Sequence, residues 1–166
     1  MPNKIKQIVD GLKNDELWDM YSSIMQQLKQ RGLVRTKNII GERGESLVVE
    51  IYNNTPNEPN LQAAPEGTQN VDALSRKGER YSIKTVTLPN KITGVFYGLN
   101  QPESSEVEEK KFEYLIIVLL DSNLQPIKIL EAGWETFLKF KKWHKTMRAW
   151  NISITKKFEG ECRIII

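Results

Sequence analysis

Apolar positions fall at helical spacing in the first third of the chain and at strand spacing over much of the rest. Leu17, Tyr21, Ile24, Met25 and Leu28 recur at helical spacing behind Asn14-Asp15-Glu16, which offers a cap and an acidic first turn, and the run stops at Gly32. A weaker helix is predicted from Ile5 to Leu12, and the two could pack as a helical hairpin. Ile40 to Tyr52 reads as a third helix with Ile40, Gly44, Leu47 and Ile51 on one stripe. An interior glycine costs about 1 kcal/mol in helix propensity, so Gly44 points to a close approach by a neighbour.

Residues 53–70 are rich in Asn, Pro, Gln and Gly and read as a long loop. Val71–Ser75 and Arg80–Thr87 are predicted strands of a hairpin around Gly78, and Lys91–Asn100 a third strand. Gln101–Lys111 is an acidic connection. The unbroken apolar run Tyr114–Leu120 is expected of a strand buried on both faces. Pro126–Glu131 follows as a strand, then helical segments at Trp134–Phe140 and Trp143–Trp150, and strands at Ile152–Thr155 and Cys162–Ile166. The order predicts an α/β protein with a mixed β-sheet flanked by helices and an N-terminal helical hairpin, in one domain over 1–166: helices to residue 33, core from residue 40.

The 166 residues and 39% hydrophobic content suffice for one core without staples. A formal charge of +3 separates no partner class by itself. The single cysteine, Cys162, and single histidine, His144, argue against disulfides and structural zinc. The start is polar and amphipathic, and the longest apolar run is far below the roughly 20 residues of a membrane span. A soluble cytoplasmic protein with no membrane partner is the expectation.

Ser82 and Lys84 alternate onto one face of their strand, and Asp72 shares it if the turn at Gly78 has odd length. A carboxylate beside a lysine can hold a metal and place an ammonium near a phosphate or an attacking water, although a solvated cross-strand ion pair has the same spacing. The strings Asn70-Val71-Asp72-Ala73 and Arg80-Tyr81-Ser82-Ile83-Lys84-Thr85, preceded by a helix carrying Gly41-Glu42-Arg43-Gly44-Glu45, resemble the signature of the PD-(D/E)xK nucleases, which include many type II restriction enzymes. The resemblance in layout runs from about Gly41 to Ile154. It implies a restriction-endonuclease-like fold and a Mg²⁺-dependent endonuclease, with Mn²⁺ able to substitute, hydrolysing phosphodiester bonds of double-stranded DNA. Asp72, Glu45 and the Ile83 carbonyl would hold the metal and Lys84 would be the catalytic lysine. The pattern departs at Ser82, where the family has an acid: Glu45 or Glu42 could supply the missing charge, the site could work with Ser, or activity could have been lost with the acid.

Between residues 139 and 157 the chain carries Lys139, Lys141, Lys142, Lys145, Arg148, Lys156 and Lys157 and no acid, with Trp143, His144 and Trp150 interleaved. Such a stretch could grip phosphates or form a solvated face. Asn70, Asn100 and Gln101, with Gln62 and Gln69, are loop amides able to read bases. The leading expectation is a restriction-type endonuclease acting as a homodimer, because one such domain carries one site and a duplex has two strands. A non-catalytic DNA-binding module, a junction-resolving or repair nuclease, and a protein-interaction domain are the alternatives.

Overall fold

The computed structural model describes residues 3–166, which divide into two compact units, one ending at Asn38 and one over Ile39–Ile166. The first unit is α1 (Lys4–Asp10) and α2 (Asn14–Gln30). The Asn3 side chain caps α1 by accepting the Ile5 N–H, and the Glu16 carboxylate accepts the Lys13 N–H at the start of α2. Gly32, at φ 68°, ends α2 and lets the Leu33 N–H reach back to the Leu28 carbonyl. No residue of either helix is buried.

The second unit opens with α3 (Ile39–Asn54) and continues into β1 (Leu61–Ala63), β2 (Ala73–Ser75), β3 (Arg80–Thr87), β4 (Tyr114–Leu120) and β5 (Pro126–Gly133). Then come α4 (Trp134–Phe140), the hairpin β6 (Lys141–His144) and β7 (Ala149–Ile152), α5 (Lys156–Glu159) and β8 (Arg163–Ile164). The main sheet runs β1-β2-β3-β4-β5-β8 and is open and antiparallel except at β3–β4. The chain is therefore mixed α/β, with five helices among the described residues.

Strand β4 lies in the middle, and its alternate side chains feed two cores, as its unbroken apolar sequence requires. Ile116, Val118 and Leu120 pack with Leu47, Val48 and Tyr52 of α3, while Leu115, Ile117 and Leu119 pack with Phe96, Phe112, Trp134, Phe137 and Phe158. In the second core Phe112 sits edge-on to Trp134 and Phe137, with ring centroids 4.9 and 5.1 Å away.

Four local expectations are corrected. Residues 53–70 contain β1, whose three residues show only Leu61 as a buried apolar signal. Lys91–Asn100 forms no regular strand; Ile92 and Phe96 make single bridges to Ser153 and Trp150, and Gly98 at φ 73° turns the chain away. Trp143–Trp150 is not helical. Alternation at Lys141, Trp143, Trp150 and Ile152 puts these side chains on one face of a hairpin, with Arg148 at positive φ in its turn. The strand expected over Ile152–Thr155 stops at Ile152, and Thr155 instead caps the unforeseen helix α5 through the Phe158 N–H.

Candidate functional site

The β2–β3 hairpin sets the geometry. Ala73 pairs with Tyr81 and Leu74 with Arg80, and the Ser75 N–H reaches the Glu79 carbonyl, so Arg76, Lys77 and Gly78 form the turn, with Gly78 at φ 83°. The paired register ends at Ala73 opposite Tyr81, and Asp72 leaves the ladder: its own carbonyl accepts the Ala64 N–H on the opposite edge. Ser82 and Lys84 share one face of β3, and the Asp72 carboxylate reaches the same strand at Ile83.

At Asp72 the ladder changes character. Its N–H still donates to the Tyr81 carbonyl, but the next donor, the Ile83 N–H, goes to Asp72 Oδ2 at 2.6 Å. The carboxylate takes the place of a strand carbonyl that β2 no longer supplies. In an extended residue the N–H and C=O point to the same edge, so the Ile83 carbonyl faces the edge where Asp72 stands.

Helix α3 packs closest to β3 just past this point. A Cβ on Gly44 would lie 1.8 Å from Thr85 Oγ1 and 2.9 Å from Thr85 Cβ, so only glycine permits the observed approach. The adjacent Glu45 then comes within electrostatic range of Lys84. Burial lowers the Lys84 pKa, and the carboxylates of Asp72 and Glu45 both work against that shift. Lys84 Nζ also lies 4.7 Å above the Phe96 ring. Four of the residues singled out in the sequence, Asp72, Lys84, Glu45 and Ser82, are thus brought to one locality from α3, the β2 approach and β3. Glu42 is buried on the same helix.

Ser82 is fully buried, and its Oγ has no hydrogen-bond partner among the described residues. The oxygen-bearing groups of these residues are two carboxylates, a hydroxyl and the Ile83 carbonyl. All are oxygens, the ligand type of Mg²⁺, which commonly takes only one or two carboxylates. Among the described residues no group of three or more His, Cys, Asp or Glu side chains is placed to hold a metal ion.

The basic stretch divides. Lys139 Nζ is 2.5 Å from Glu161, and Lys141 Nζ is 3.0 Å from Glu108 and 4.1 Å from the Trp150 ring centroid. Their acids lie outside the basic stretch, which is why the sequence left them unpaired. Lys142, Lys145 and Arg148 are exposed on the β6–β7 hairpin, whose strand β7 bridges to Phe96 beneath Lys84. Lys156 and Lys157 are exposed on α5. His144 Nδ1 accepts the Met147 N–H and braces the hairpin turn. Asn70 donates to the Tyr97 carbonyl and Asn100 to the Glu106 carbonyl, so both amides tie loops together, while Gln101 is exposed.

Two polar clusters gave no sequence signal because their members are far apart in the chain. Arg163 bridges Glu58 and Glu131, and Tyr52 Oη donates to Glu131 at 2.5 Å, beside a cleft of about 470 Å³. These charges satisfy one another and fasten β8 to β5 and to the chain following α3.

The second cluster ties β3 to β4. Glu113 accepts the Arg80 backbone N–H and the Nε and Nη2 donors of its guanidinium, which hold the Glu113 carboxyl down at about 2 against an ordinary 4.5. Such a group stays ionised in the folded chain after its unfolded counterpart has taken a proton. Its stabilisation is complete above about pH 4.5 and is lost as pH falls towards 2. Glu113→Gln is therefore expected to flatten the acid limb of a stability profile over that window, at a cost of roughly 1 kcal/mol or less near neutrality because the Arg80 side chain is partly exposed. An unchanged acid limb in urea titrations would place the pH dependence elsewhere.

No protein-family model matches the chain, and no curated protein matches it in sequence. No helix among the described residues is long and apolar enough to cross a membrane.

Proposed function

We propose that this protein is a Mg²⁺-dependent endonuclease that hydrolyses phosphodiester bonds of double-stranded DNA, with a restriction-endonuclease-like core resembling the PD-(D/E)xK nucleases. The observation that supports the reading is the Asp72 carboxylate on the Ile83 N–H and within electrostatic range of Lys84, with Glu45 acting on the same lysine. Asp72, Glu45 and the Ile83 carbonyl would hold the ion. When bound, Mg²⁺ supplies Lewis acidity at the phosphate and lowers the pKa of a coordinated water.

The protein's own part is positional and electrostatic. Lys84 is fixed by its seat over Phe96 and by two carboxylates, so its donors aim at a non-bridging phosphate oxygen or at the attacking water. The water oxygen bonds to phosphorus and gives up one proton to solvent as one P–O ester bond breaks, and the departing alkoxide takes one proton from solvent. Purified protein incubated with plasmid DNA is expected to nick or linearise it with Mg²⁺ or Mn²⁺ and not with EDTA. Intact plasmid under all metal conditions would refute the enzyme. A restriction role and a junction-resolving or repair role differ in substrate, which mapping of the cut ends decides.

One observation favours a second reading, a non-catalytic DNA-binding module: the position where the family has an acid is a neutral and fully buried Ser82. That version keeps salt-dependent DNA binding without cleavage.

On either reading DNA affinity rests on the exposed part of the basic stretch. Removing one phosphate-binding cation lowers the slope of log affinity against log salt by roughly 0.9 on duplex DNA. Neutralising Lys142, Lys145 and Arg148 together is expected to flatten that slope. Neutralising the acid-paired Lys139 and Lys141 is expected to leave it nearly unchanged, and equal effects of the two sets would remove the hairpin from the interface.

A further inference from the structure

We propose that the cleft of about 470 Å³ beside Glu131 binds a nucleoside monophosphate, with an amino-bearing base directed inward and the phosphate at Arg76 and Lys77. Tyr81, at its floor, packs on the α3 side of the sheet, whereas Lys84 sits over Phe96 on the other side. The cleft is therefore separate from the Lys84 locality, and its size falls within the roughly 300–1,000 Å³ of small-ligand pockets.

Three observations select this class of ligand. The first is an unused donor. Tyr81 is 2% exposed and lines the cleft, yet its hydroxyl has no hydrogen-bond partner among the described residues. A buried hydroxyl left unpaired costs free energy, so the position favours a ligand that brings an acceptor. Burial pushes the Tyr81 phenol up, and Glu79, Glu131, Tyr114 and Glu58 push the same way, so the hydroxyl keeps its proton to donate. The second is an unused acceptor. Glu79, two residues earlier and also in the cleft, takes the Ser75 hydroxyl on Oε2, while its Oε1 has no partner among the described residues. A donor and an acceptor together match the ring nitrogen and exocyclic amine of cytosine or adenine, and uracil, thymine and guanine present the reverse order. Tyr114, half-buried and stacked on Tyr81 with ring centroids 5.0 Å apart, adds an aromatic wall for the base.

The third is the order of charge. Glu58 and Glu131, with side chains 15 and 11% exposed, share Arg163 within the cleft. Arg76 and Lys77 are exposed on the β2–β3 turn at its rim and have no acidic partner among the described residues. Recessed acceptors and outlying cations suit a ligand with a hydrogen-bond donor at one end and an anion at the other.

The test is isothermal titration calorimetry on the full chain in EDTA, which reads binding without cleavage and so stands apart from the nuclease reading. Cytidine 5′-monophosphate is expected to bind with a dissociation constant on the order of 100 μM. Uridine 5′-monophosphate, cytidine and inorganic phosphate are each expected to bind about tenfold more weakly or worse. Arg76→Ala combined with Lys77→Ala is expected to reduce the affinity for cytidine 5′-monophosphate to that for cytidine, and to leave cytidine binding unchanged. Tyr81→Phe removes only the unpartnered hydroxyl and is expected to erase the preference for cytosine over uracil. Equal binding of the two nucleotides by the parental chain overturns the proposal, as does the parental preference in Tyr81→Phe. Inorganic phosphate bound as tightly as the nucleotide would leave an anion site alone and overturns it too. So does parental affinity in the double variant, or no saturation by cytidine 5′-monophosphate at about 10 mM.

Discussion

Asp72→Asn is expected to remove DNA cleavage, by about 10²-fold or more, while the chain unfolds at nearly the parental denaturant concentration. The two roles of this carboxylate are separable. Its Oδ2 is a structural acceptor that holds the Ile83 N–H at 2.6 Å, and an amide oxygen can do the same. Its charge, which acts on Lys84 and on any bound cation, is lost. Asp72→Ala discards both and leaves a backbone N–H without its partner, at a further cost of about 1–3 kcal/mol in stability. Lys84→Met supplies the matching control: the aliphatic stem still covers Phe96, while the ammonium is gone. Cleavage by Asp72→Asn or Lys84→Met at the parental rate would dismantle the site. Loss of stability in Asp72→Asn equal to that in Asp72→Ala would show that charge, and not hydrogen bonding, holds the ladder at Ile83.

Gly44→Ala is expected to disturb fold and site together. Alanine is the better helix former by about 1 kcal/mol, so propensity alone predicts stabilisation. The contact decides otherwise: the new methyl would lie 1.8 Å from Thr85 Oγ1 and 2.9 Å from Thr85 Cβ, and Cβ has no rotamer to escape into. Helix α3 must then lift from β3, with an overpacking cost of about 1–3 kcal/mol that offsets the propensity gain. Lifting α3 withdraws Glu45 from Lys84, so metal-dependent cleavage is expected to fall further than stability does. The hydroxyl of Thr85 has no hydrogen-bond partner among the described residues, so Thr85→Ala by itself is expected to be nearly neutral. Combined with Gly44→Ala it relieves the Oγ1 clash but not the Cβ contact, and the double-mutant cycle should show partial recovery. Additive effects would mean that the two residues do not touch, and a more stable, fully active Gly44→Ala would mean that α3 sits farther from β3.

Elements whose pattern has one physical solution were legible in the sequence. The seven apolar residues of β4 leave no polar face, so the strand had to be central with a core on each side. The stripe interrupted by Gly44 already pointed to the close approach of α3. Lys84 and Ser82 were bound to share a face because strand side chains alternate. Register, long-range pairing and the non-repetitive segments came only with tertiary packing. Where the Asp72 carboxylate stands was not legible in the alternation, because Asp72 leaves the ladder beyond the pairing of Ala73 with Tyr81 and its side chain turns to the Ile83 N–H. The basic stretch read as seven unpaired cations because Glu108 and Glu161, which neutralise Lys141 and Lys139, lie outside it. Trp143–Trp150 reads as helical because its alternation is broken by a turn, and the hairpin closes only where Phe96 supplies a backbone for β7 to bridge. Local pattern fixes which face of an element a residue occupies. Which faces then meet depends on contacts that close only when distant segments pack, and the proximity of Asp72, Glu45 and Lys84 is of that second kind.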